Sequence, residues 1–316
     1  MKGELFNMKK KSLVLTGKQQ LEWRVKTIPP MKEDEILIKT MAGAISIGAE
    51  LPQYDECDLT EPAPSYPKET GYESYGEVIG VGDGVEKIKA GDRVVAFYGH
   101  SDYGIVKAAK VIPVPEEMPS ADALLIILSC DAGKGALKLN PSKDETVLIS
   151  GGGTMGLLTL HFLKEHLGVT KIDVIEPDRN RGRLAKSFGA HTVFLNGDEI
   201  PGDHYDYGVE CSGRNDAFHT LQKAMKHEGA ICILSDGNKE TFTLHPDFYR
   251  KELKAVGSSD GWDYHRHAAW YADAVKRSDG GLRSIFEKVI SSHELISCFE
   301  ELSSGKRNPV KVLVEY

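Results

Sequence analysis

The clearest chemical signal in the sequence is a glycine-rich segment, GGGTMG, which begins at Gly151 between a predicted strand and a predicted helix. In a strand-turn-helix unit, glycines at these positions have steric purposes. Gly151 permits a tight turn, Gly153 lets the backbone approach a diphosphate, and Gly156 lets the helix pack closely on the strand. The amides at the start of the helix, including those of Thr154 and Met155, would then hold the diphosphate of a dinucleotide coenzyme.

An acidic residue ends the next predicted strand. Glu176 lies twenty residues after Gly156, where a carboxylate can accept hydrogen bonds from the 2′- and 3′-hydroxyls of an adenosine ribose. Because the same charge repels a 2′-phosphate, the sequence favours NAD(H) over NADP(H), although Arg179 and Arg181 are close enough to weaken that repulsion. The alternative is a glycine turn without a ligand and a solvent-facing Glu176. The coincidence of strand, turn, helix and acidic residue favours the coenzyme.

A parallel sheet would bring these residues to one edge. After Pro119, buried strands alternate with amphipathic helices, which predicts a doubly wound α/β domain of the Rossmann type with six strands between Val147 and Val256. The predicted strands include Thr146–Ser150, Lys171–Ile175, Thr192–Leu195, Tyr207–Glu210 and Ala230–Leu234, and the predicted helices include Leu157–His166 and Ala217–Lys226.

The chain before Pro119 has short β-rich runs separated by turn residues, which predicts a second, β-rich domain. Its predicted strands are Glu35–Thr40, Gly76–Val81, Asp92–Phe97 and Lys110–Val114. The segment Leu51–Thr70 lacks periodicity and is interpreted as a long surface loop. The segment Ser258–Tyr316, with helix and a final strand at Val310–Val314, is expected to pack back on the β-rich domain. The predicted domains are therefore 1–119 with 258–316, and 120–257.

Composition limits the classes of partner. The 316 residues are 41% hydrophobic and 27% charged, enough apolar mass for two cores, and the net charge of −8 leaves no basic surplus for nucleic acid. No apolar run approaches the about 18 to 20 residues that span a bilayer, and no signal-peptide stretch is evident, so we expect a cytoplasmic protein without membrane contact. The five cysteines form no C-x-x-C pair, which excludes a four-cysteine zinc lobe.

Several segments resemble the medium-chain dehydrogenase/reductase superfamily, and the likeness covers nearly the whole chain. GYESYGEVIG, from Gly71, resembles the family's G-H-E-x-x-G-x-V-x-x-V-G motif. The other matching segments are Gly91–Val94, Glu176–Ala190 with Arg181 and Gly189-Ala190 in register, Glu210–Gly213, and Lys251–Gly257. The resemblance implies a GroES-like β domain in two chain segments that flank a Rossmann domain. It also implies coenzyme contacts from Ser212, Gly213 and Ser235, which follow predicted strands.

The sequence departs from the family at the zinc ligands. Zinc members hold the metal with Cys, His and a further Cys or Glu. Here Tyr72 replaces the histidine, and Ile47 or Ser46 replaces the first cysteine, so that Cys130 alone remains as a candidate ligand. One thiolate cannot hold a catalytic zinc, which needs about three protein ligands. No zinc is therefore expected, and the region from 93 to 106 contains no cysteine for a structural lobe.

Hydride transfer to a carbonyl builds negative charge on its oxygen, so another group must donate a proton where zinc would lie. Tyr72 is the first candidate, and Lys134 is a cation that would lower the pKa of its phenol. Glu73 and Glu50 match acidic positions near the metal in zinc members, and are expected to pair with Lys134 or to relay protons. The alternative is that Tyr72 only fills the space left by zinc, while Lys134 is solvated.

Three functional hypotheses stay open. The first is an NAD(H)-dependent dehydrogenase that acts on an alcohol, polyol or carbonyl of a small-molecule substrate, with Glu50, His100, Trp262 and Tyr264 near that substrate. The second is a metal-free quinone or enoyl reductase, a type that usually prefers NADPH. The third is an NAD(H)-binding protein without turnover. We also expect a homodimer, because relatives pair edge strands of their Rossmann sheets, and the segment Ala230–Leu244 is the predicted edge.

Overall fold

The computed structural model describes residues 8–277 and 280–316, and it divides into two compact units. The β-rich unit is Met1–Ile126 with Ala268–Ala272 and Ile285–Tyr316. The second, α/β unit is Ile127–His267 with Asp273–Ser284. These boundaries differ from the predicted ones, since the first lies at 126 rather than 119 and much of 258–284 belongs to the α/β unit.

The strands, in chain order, are β1 (Lys9–Gly17), β2 (Gln20–Thr27), β3 (Glu35–Ile45), β4 (Lys68–Glu69), β5 (Glu73–Val81), β6 (Arg93–Ala96), β7 (Tyr103–Lys107), β8 (Ile112–Val114), β9 (Thr146–Ser150), β10 (Lys171–Ile175), β11 (Thr192–Phe194), β12 (Tyr205–Glu210), β13 (Met225–Ile233), β14 (Lys254–Gly257), β15 (Phe286–Ser291) and β16 (Lys311–Glu315). The α-helices are α1 (Ile47–Tyr54), α2 (Ser120–Leu124), α3 (Ile126–Leu139), α4 (Thr154–Glu165), α5 (Arg179–Ser187), α6 (Asn215–Ala224), α7 (Pro246–Arg250), α8 (Tyr264–Arg277) and α9 (Leu295–Ser303). Short 3₁₀ helices lie at Ala108–Lys110, Gly197–Glu199, Gly281–Ile285 and Ser292–Glu294.

The β-rich unit contains two sheets. The smaller has the order β2-β1-β4, and the larger has the order β15-β16-β3-β5-β6-β8, with β7 also paired to β3. β3 runs antiparallel to both β5 and β16, in a register that places Ala44 opposite Glu73 and Ile45 opposite Val312. The residues that follow β3, begin β5 and begin β16 therefore converge. A core that includes Leu13, Ile45, Tyr54, Phe299 and Val312 supports this convergence.

The α/β unit contains the predicted six-stranded parallel sheet, so the Rossmann fold and the α/β class are confirmed. Its order is β11-β10-β9-β12-β13-β14, and every pairing is parallel. In such a sheet the strand order reverses between the first and fourth strands, here β9 and β12, and ligands bind at the carboxyl ends of those strands. Gly151 follows β9 and Glu210 ends β12. This sheet edge is therefore the expected coenzyme site.

The predicted surface loop Leu51–Thr70 is only partly a loop. Its first four residues complete α1, and its last three include β4. The sequence suggested a loop because Pro52 and several acidic residues break the apolar pattern. Tertiary packing overrides that signal, because the Tyr54 ring packs on Phe299 with centroids 5.4 Å apart. Other features that were not predicted include the hairpin of β1 and β2 and the strands β7 and β15.

The predicted dimer edge was wrong. Ala230–Ile233 pairs on one side with β12 and on the other with β14, so its backbone groups are not exposed at an edge. The edge strand on this side is β14, Lys254–Gly257. Ile231 and Cys232 are completely buried, as is typical of a central strand in a parallel sheet. Within the residues that the structure describes, no helix has the length and apolar character needed to cross a bilayer.

Two histidines are buried in the α/β unit. The His267 Nε2 lies 2.9 Å from the Ser129 hydroxyl oxygen. The His267 ring stacks on the Phe162 ring, with centroids 5.8 Å apart. Burial lowers the pKa of His161 to about 4, with a smaller contribution from Lys164 and Arg277. Burial also lowers the pKa of His267 to about 3. The fold therefore keeps both imidazoles neutral.

We predict that these histidines make the α/β unit acid-labile. The unfolded chain protonates histidine below about pH 6.5, whereas the folded state resists protonation until the lowered pKa values are reached. The free energy of unfolding is therefore undiminished by these histidines above pH 6.5, and it decreases as the pH falls toward 4. Between pH 6.5 and 4, the His161→Leu variant should lose about 3 kcal/mol less of its free energy of unfolding than the parent does. Chemical unfolding at several pH values measures this difference.

The exposed His227 supplies the control for this experiment. His227→Gln should leave the pH dependence of the free energy of unfolding unchanged. If His161→Leu and the parent lose stability equally between pH 6.5 and 4, the buried imidazole is not the cause.

Candidate active site and coenzyme site

The glycine turn has the geometry that the sequence predicts. Gly151 has a φ of 95°, in the left-handed region, and a Cβ added at Gly156 would lie 1.9 Å from the Gly151 carbonyl oxygen. The fold itself therefore requires glycine at these two positions. A Cβ added at Gly153 would meet no atom within 4 Å, so the protein leaves open space there. That space, beside the amides of Thr154 and Met155 in the first turn of α4, fits a diphosphate.

Glu176 lies directly beside this turn and is buried. Its Oε2 accepts a hydrogen bond of 2.7 Å from the Gly152 amide, and its Oε1 accepts one of 2.8 Å from the Asp178 amide. Each carboxylate oxygen retains a second lone-pair direction that can accept a ribose hydroxyl. Asp178 caps α5 and accepts a 3.0 Å bond from the Arg181 amide, which places Arg181 in the first turn of that helix.

A buried carboxylate that sequence reasoning missed brings three predicted residues together. Glu210 Oε1 accepts hydrogen bonds from the Ser212 amide at 2.8 Å, the Ser212 hydroxyl at 2.5 Å and the Gly213 amide at 3.0 Å. The Ser235 hydroxyl donates to Oε2 of the same carboxylate. A Cβ added at Gly151 would lie 3.2 Å from Ser212. The turns after β9, β12 and β13 therefore form one edge, and the ECSG segment was the signal for it.

Lys239 adds positive charge to this edge and was also missed. Its stem covers Gly213, because a Cβ added there would lie 3.1 Å from the Lys239 Cδ. Burial lowers the pKa of Lys239, and the nearby guanidinium of Arg181 lowers it further, while Glu210 raises it. Two cations near the glycine turn favour a ligand with negative charge.

In the β-rich unit, Tyr72 and Ser46 form a short hydrogen bond. Their hydroxyl oxygens are 2.6 Å apart. Ser46 immediately precedes α1, and its amide donates to Glu50 Oε1 at 2.8 Å, but its hydroxyl does not cap the helix. Ser46, rather than Ile47, is therefore the residue that faces Tyr72.

Glu50 and His100 form a second buried pair next to this contact. The His100 Nε2 lies 3.0 Å from Glu50 Oε2, and both side chains are almost completely buried. A side chain at Gly71 would collide with the His100 ring, whose nearest atom would lie 2.8 Å from the added Cβ. Of the two orientations open from the sequence, the structure excludes a solvent-facing His100.

Glu73 and Lys311 form a buried ion pair. The Lys311 ammonium donates to Glu73 Oε1 at 2.7 Å, and each residue is 1% exposed. Burial is the largest influence on the pKa of Glu73 and raises it, and the charge of Glu50 raises it as well. The Lys311 ammonium and the Ser46 hydroxyl lower this pKa, but the net shift is upward. The second oxygen, Oε2, is buried and has no hydrogen-bond partner in the described residues.

The remaining predicted residues lie in the α/β unit, where side chains of α3 hold the loop before α8. The Lys134 ammonium donates to the Ser259 carbonyl at 2.8 Å. The Tyr264 hydroxyl donates to Asp131 at 2.8 Å and accepts from the Gly261 amide at 2.7 Å. These contacts give Lys134 and Tyr264 structural partners.

Trp262 and Cys130 belong to the same region. Trp262 is 38% exposed, and the Arg266 guanidinium lies 5.2 Å from its ring centroid. Burial raises the pKa of the Cys130 thiol to about 11, so the thiol is protonated at neutral pH.

The donors around Tyr72 do not fit a zinc ion. The two hydroxyls at this point bond to each other, and the nearby Glu73 carboxylate is paired with an ammonium. Zinc prefers thiolate, imidazole and unpaired carboxylate ligands. Across residues 8–277 and 280–316, no group of three or more His, Cys, Asp or Glu side chains is placed to hold a metal ion.

Comparisons with known proteins agree with this architecture. Residues 32–116 match the alcohol dehydrogenase GroES-like domain. L-threonine 3-dehydrogenase of Edwardsiella ictaluri (strain 93-146) is 25% identical over 246 residues, which cover 66% of this chain and 71% of that protein.

Solved structures share the fold of the whole chain. L-idonate 5-dehydrogenase from Escherichia coli superposes with a TM-score of 0.86 at 18% identity, covering 98% of this chain and 99% of the other. A putative zinc-binding dehydrogenase from Sinorhizobium meliloti 1021, bound to NADP, gives a TM-score of 0.81 at 22% identity, covering 98% and 100%. A GroES-like β-rich unit with a Rossmann unit defines an alcohol dehydrogenase-like oxidoreductase. The chain is similar in sequence and in fold to proteins of the medium-chain dehydrogenase/reductase superfamily.

We predict that two glycines of the turn respond differently to substitution. Gly153→Thr should leave the free energy of unfolding within about 0.5 kcal/mol, because threonine caps a helix as well as glycine does and the added atoms enter open space. It should weaken NADH binding by about tenfold or more, because its side chain occupies the diphosphate position. Thermal unfolding and calorimetric titration measure the two effects.

Gly156→Ala is the matched comparison. It should cost about 1 to 3 kcal/mol of stability, because the added Cβ meets a backbone oxygen. Equal NADH affinity of Gly153→Thr and the parent would show that the space beside Gly153 does not hold the coenzyme.

Proposed function

We propose that the protein is an NAD(H)-dependent oxidoreductase that transfers a hydride between nicotinamide and an alcohol or carbonyl group of a small metabolite without catalytic zinc. The observation that carries this proposal is the 2.6 Å contact between the Ser46 and Tyr72 hydroxyls. In zinc relatives, these positions carry metal ligands. Here they carry a phenol and a hydroxyl, which can move a proton at the point where a metal would polarise the substrate oxygen.

The coenzyme binds along the carboxyl edge of the Rossmann sheet in this proposal. Bound nicotinamide supplies the hydride donor or acceptor. The turn at Gly153 holds the diphosphate, and Glu176 accepts the ribose hydroxyls. Glu210 fixes the neighbouring turns that contain Ser212 and Gly213, so that this edge is formed before the coenzyme arrives.

Tyr72 holds the proton at the substrate oxygen. Oxidation of an alcohol gives a carbonyl, one hydride and one proton, and the Tyr72 phenol relays that proton away from the substrate oxygen. In the reverse direction the phenol donates it as negative charge develops on the carbonyl oxygen. The neighbouring hydroxyl of Ser46 orients the phenol, as its 2.6 Å contact indicates.

The relatives support a small hydroxylated substrate. Two of the matched proteins are named as dehydrogenases of L-threonine and L-idonate. We propose a substrate of that class, a small polar metabolite with a hydroxyl or carbonyl group. We also propose a homodimer that pairs through the edge strand β14. Leu244 and Tyr249, which precede this strand in the chain, are exposed large apolar side chains. The mass of the protein in sedimentation experiments tests whether it is a dimer.

One observation favours a second function, a metal-free NADPH-dependent quinone or enoyl reductase. Arg181 is close enough to Lys239 to lower the pKa of its ammonium group. Such a pair of cations attracts a 2′-phosphate. Against it, the Glu176 carboxylate repels that phosphate. The balance of these charges decides the coenzyme, and we propose that the carboxylate dominates because it lies at the ribose position.

The coenzyme preference is tested by calorimetric titration with NADH and NADPH at low ionic strength. We expect NADH to bind about tenfold more tightly, a difference of about 1.4 kcal/mol. Lys239→Gln should weaken NADPH binding more than NADH binding, because NADPH carries an additional phosphate. Tighter binding of NADPH to the parent would contradict the preference and favour the reductase.

The role of Tyr72 is tested by Tyr72→Phe with a panel of alcohols, aldehydes and quinones. We expect turnover to fall on the order of 100-fold, with unchanged NADH affinity, because only proton transfer is lost. The matched control is Tyr98→Phe, since the Tyr98 hydroxyl contacts Thr40, at 2.9 Å, in the same unit. That control should retain turnover.

Two results would contradict this proposal. Stoichiometric zinc in the purified protein would overturn the metal-free mechanism. NADH binding without turnover of any compound in the panel would favour a coenzyme-binding protein without catalysis.

A further inference from the structure

Ser46 makes an unusual use of its hydroxyl. A serine that precedes a helix ordinarily accepts a hydrogen bond from an amide in the first turn. Ser46 has this position before α1 but makes no such bond. Its amide donates to Glu50, and its hydroxyl lies 2.6 Å from the Tyr72 hydroxyl. The hydroxyl is therefore directed to Tyr72 at the expense of the helix cap.

Glu73 has an unused acceptor close to this hydroxyl. Oε1 accepts from the Lys311 ammonium at 2.7 Å, whereas Oε2 is buried and has no hydrogen-bond partner in the part of the chain that the structure describes. A buried carboxylate oxygen without a donor is unfavourable. The Ser46 side chain is close enough to lower the pKa of this carboxyl. A proton on Oε2 would neutralise the carboxylate, while Oε1 still accepts the hydrogen bond from the Lys311 ammonium.

We propose that Glu73 is the internal proton store of the site, reached from Tyr72 through the hydroxyl of Ser46, and that Lys311 is its positioning residue. This inference rests on the proposed function. It adds a proton path that is separate from the coenzyme and from solvent, and it assigns roles to Ser46 and Lys311.

The proton path balances in both directions. When an alcohol is oxidised, its O–H bond breaks and Tyr72 oxygen takes the proton, while the Tyr72 proton passes to Ser46 oxygen. The Ser46 proton passes to Glu73 Oε2, which becomes a neutral carboxylic acid. One hydride, with two electrons, leaves the substrate carbon for nicotinamide. Reduction of a carbonyl reverses each transfer, so no other oxidant or base is needed.

The surroundings set the affinity of Glu73 for the proton. Burial raises the pKa of this carboxyl, and the charge of Glu50 raises it as well. Lys311 and Ser46 lower it. The His100 Nε2 lies 3.0 Å from Glu50 Oε2, so the imidazole also faces this group of charges. Burial and Glu50 therefore favour a protonated Glu73, while Lys311 and Ser46 favour the carboxylate, so that both forms have stabilising partners.

The kinetic test uses Ser46→Ala with Ser46→Thr as the conservative variant. Single-turnover hydride transfer is followed by coenzyme absorbance across a range of pH. Ser46→Ala should slow the step on the order of 100-fold and remove the inflection of the pH profile that belongs to Glu73, with unchanged NADH affinity. Ser46→Thr should restore both within a few-fold, because it retains the hydroxyl.

Comparison with Tyr72→Phe separates the two proposals. A slow Tyr72→Phe enzyme together with a fully active Ser46→Ala enzyme, with the parent's pH profile, overturns the proton path and leaves the proposed function standing. A fully active Tyr72→Phe enzyme overturns both. Loss of rate in Ser46→Ala that Ser46→Thr does not rescue also overturns the path, since it indicates a structural effect.

A second measurement does not depend on turnover. Infrared titration of the resting protein should show a protonated buried carboxyl that appears on acidification and shifts to higher pH in Ser46→Ala, because Ser46 lowers the pKa of Glu73. The signal should be absent from the double variant Glu73→Gln, Lys311→Met. That variant removes both charges, so it avoids the unpaired buried ammonium that Glu73→Gln alone would leave. A signal unaffected by Ser46→Ala overturns the proposal.

Discussion

The pairing of β3 with β5 and β16 is the constraint on which the β-rich unit depends. Its register places Ala44 opposite Glu73 and Ile45 opposite Val312. The buried ion pair of Glu73 with Lys311, 238 residues apart in the chain, follows directly from it. A slip of either β5 or β16 by one residue would turn its charged side chain to the opposite face and separate the pair. Since a buried charge without its partner is strongly destabilising, the ion pair also selects the correct register.

The α/β unit concentrates its polar groups at one sheet edge by the same logic. Parallel strands end together, and there the buried Glu210 binds backbone amides and hydroxyls from two turns. Glu176 binds two further amides. Carboxylates that accept several hydrogen bonds are held in one geometry in a buried setting. The edge is thereby rigid where a dinucleotide must be recognised.

Much of the fold followed from the sequence because alternating buried strands and helices leave few topologies open. The glycine turn and its acidic partner followed from spacing. The helix in 51–70 did not, because its stability comes from contact with Phe299 rather than from local pattern. The contact of Ser46 with Tyr72 depends on strand register, which no local pattern contains. For Lys134, the sequence showed a charge but not the carbonyl of Ser259 that it binds.

The side chains described around Tyr72 carry hydroxyl, carboxylate and ammonium groups, and none of them is a cysteine. Cys130 and Cys232 are buried, and burial raises the pKa of each to about 11, so both remain in the unreactive thiol form. Peroxides would therefore find no sulfur anion to oxidise at either of these two cysteines.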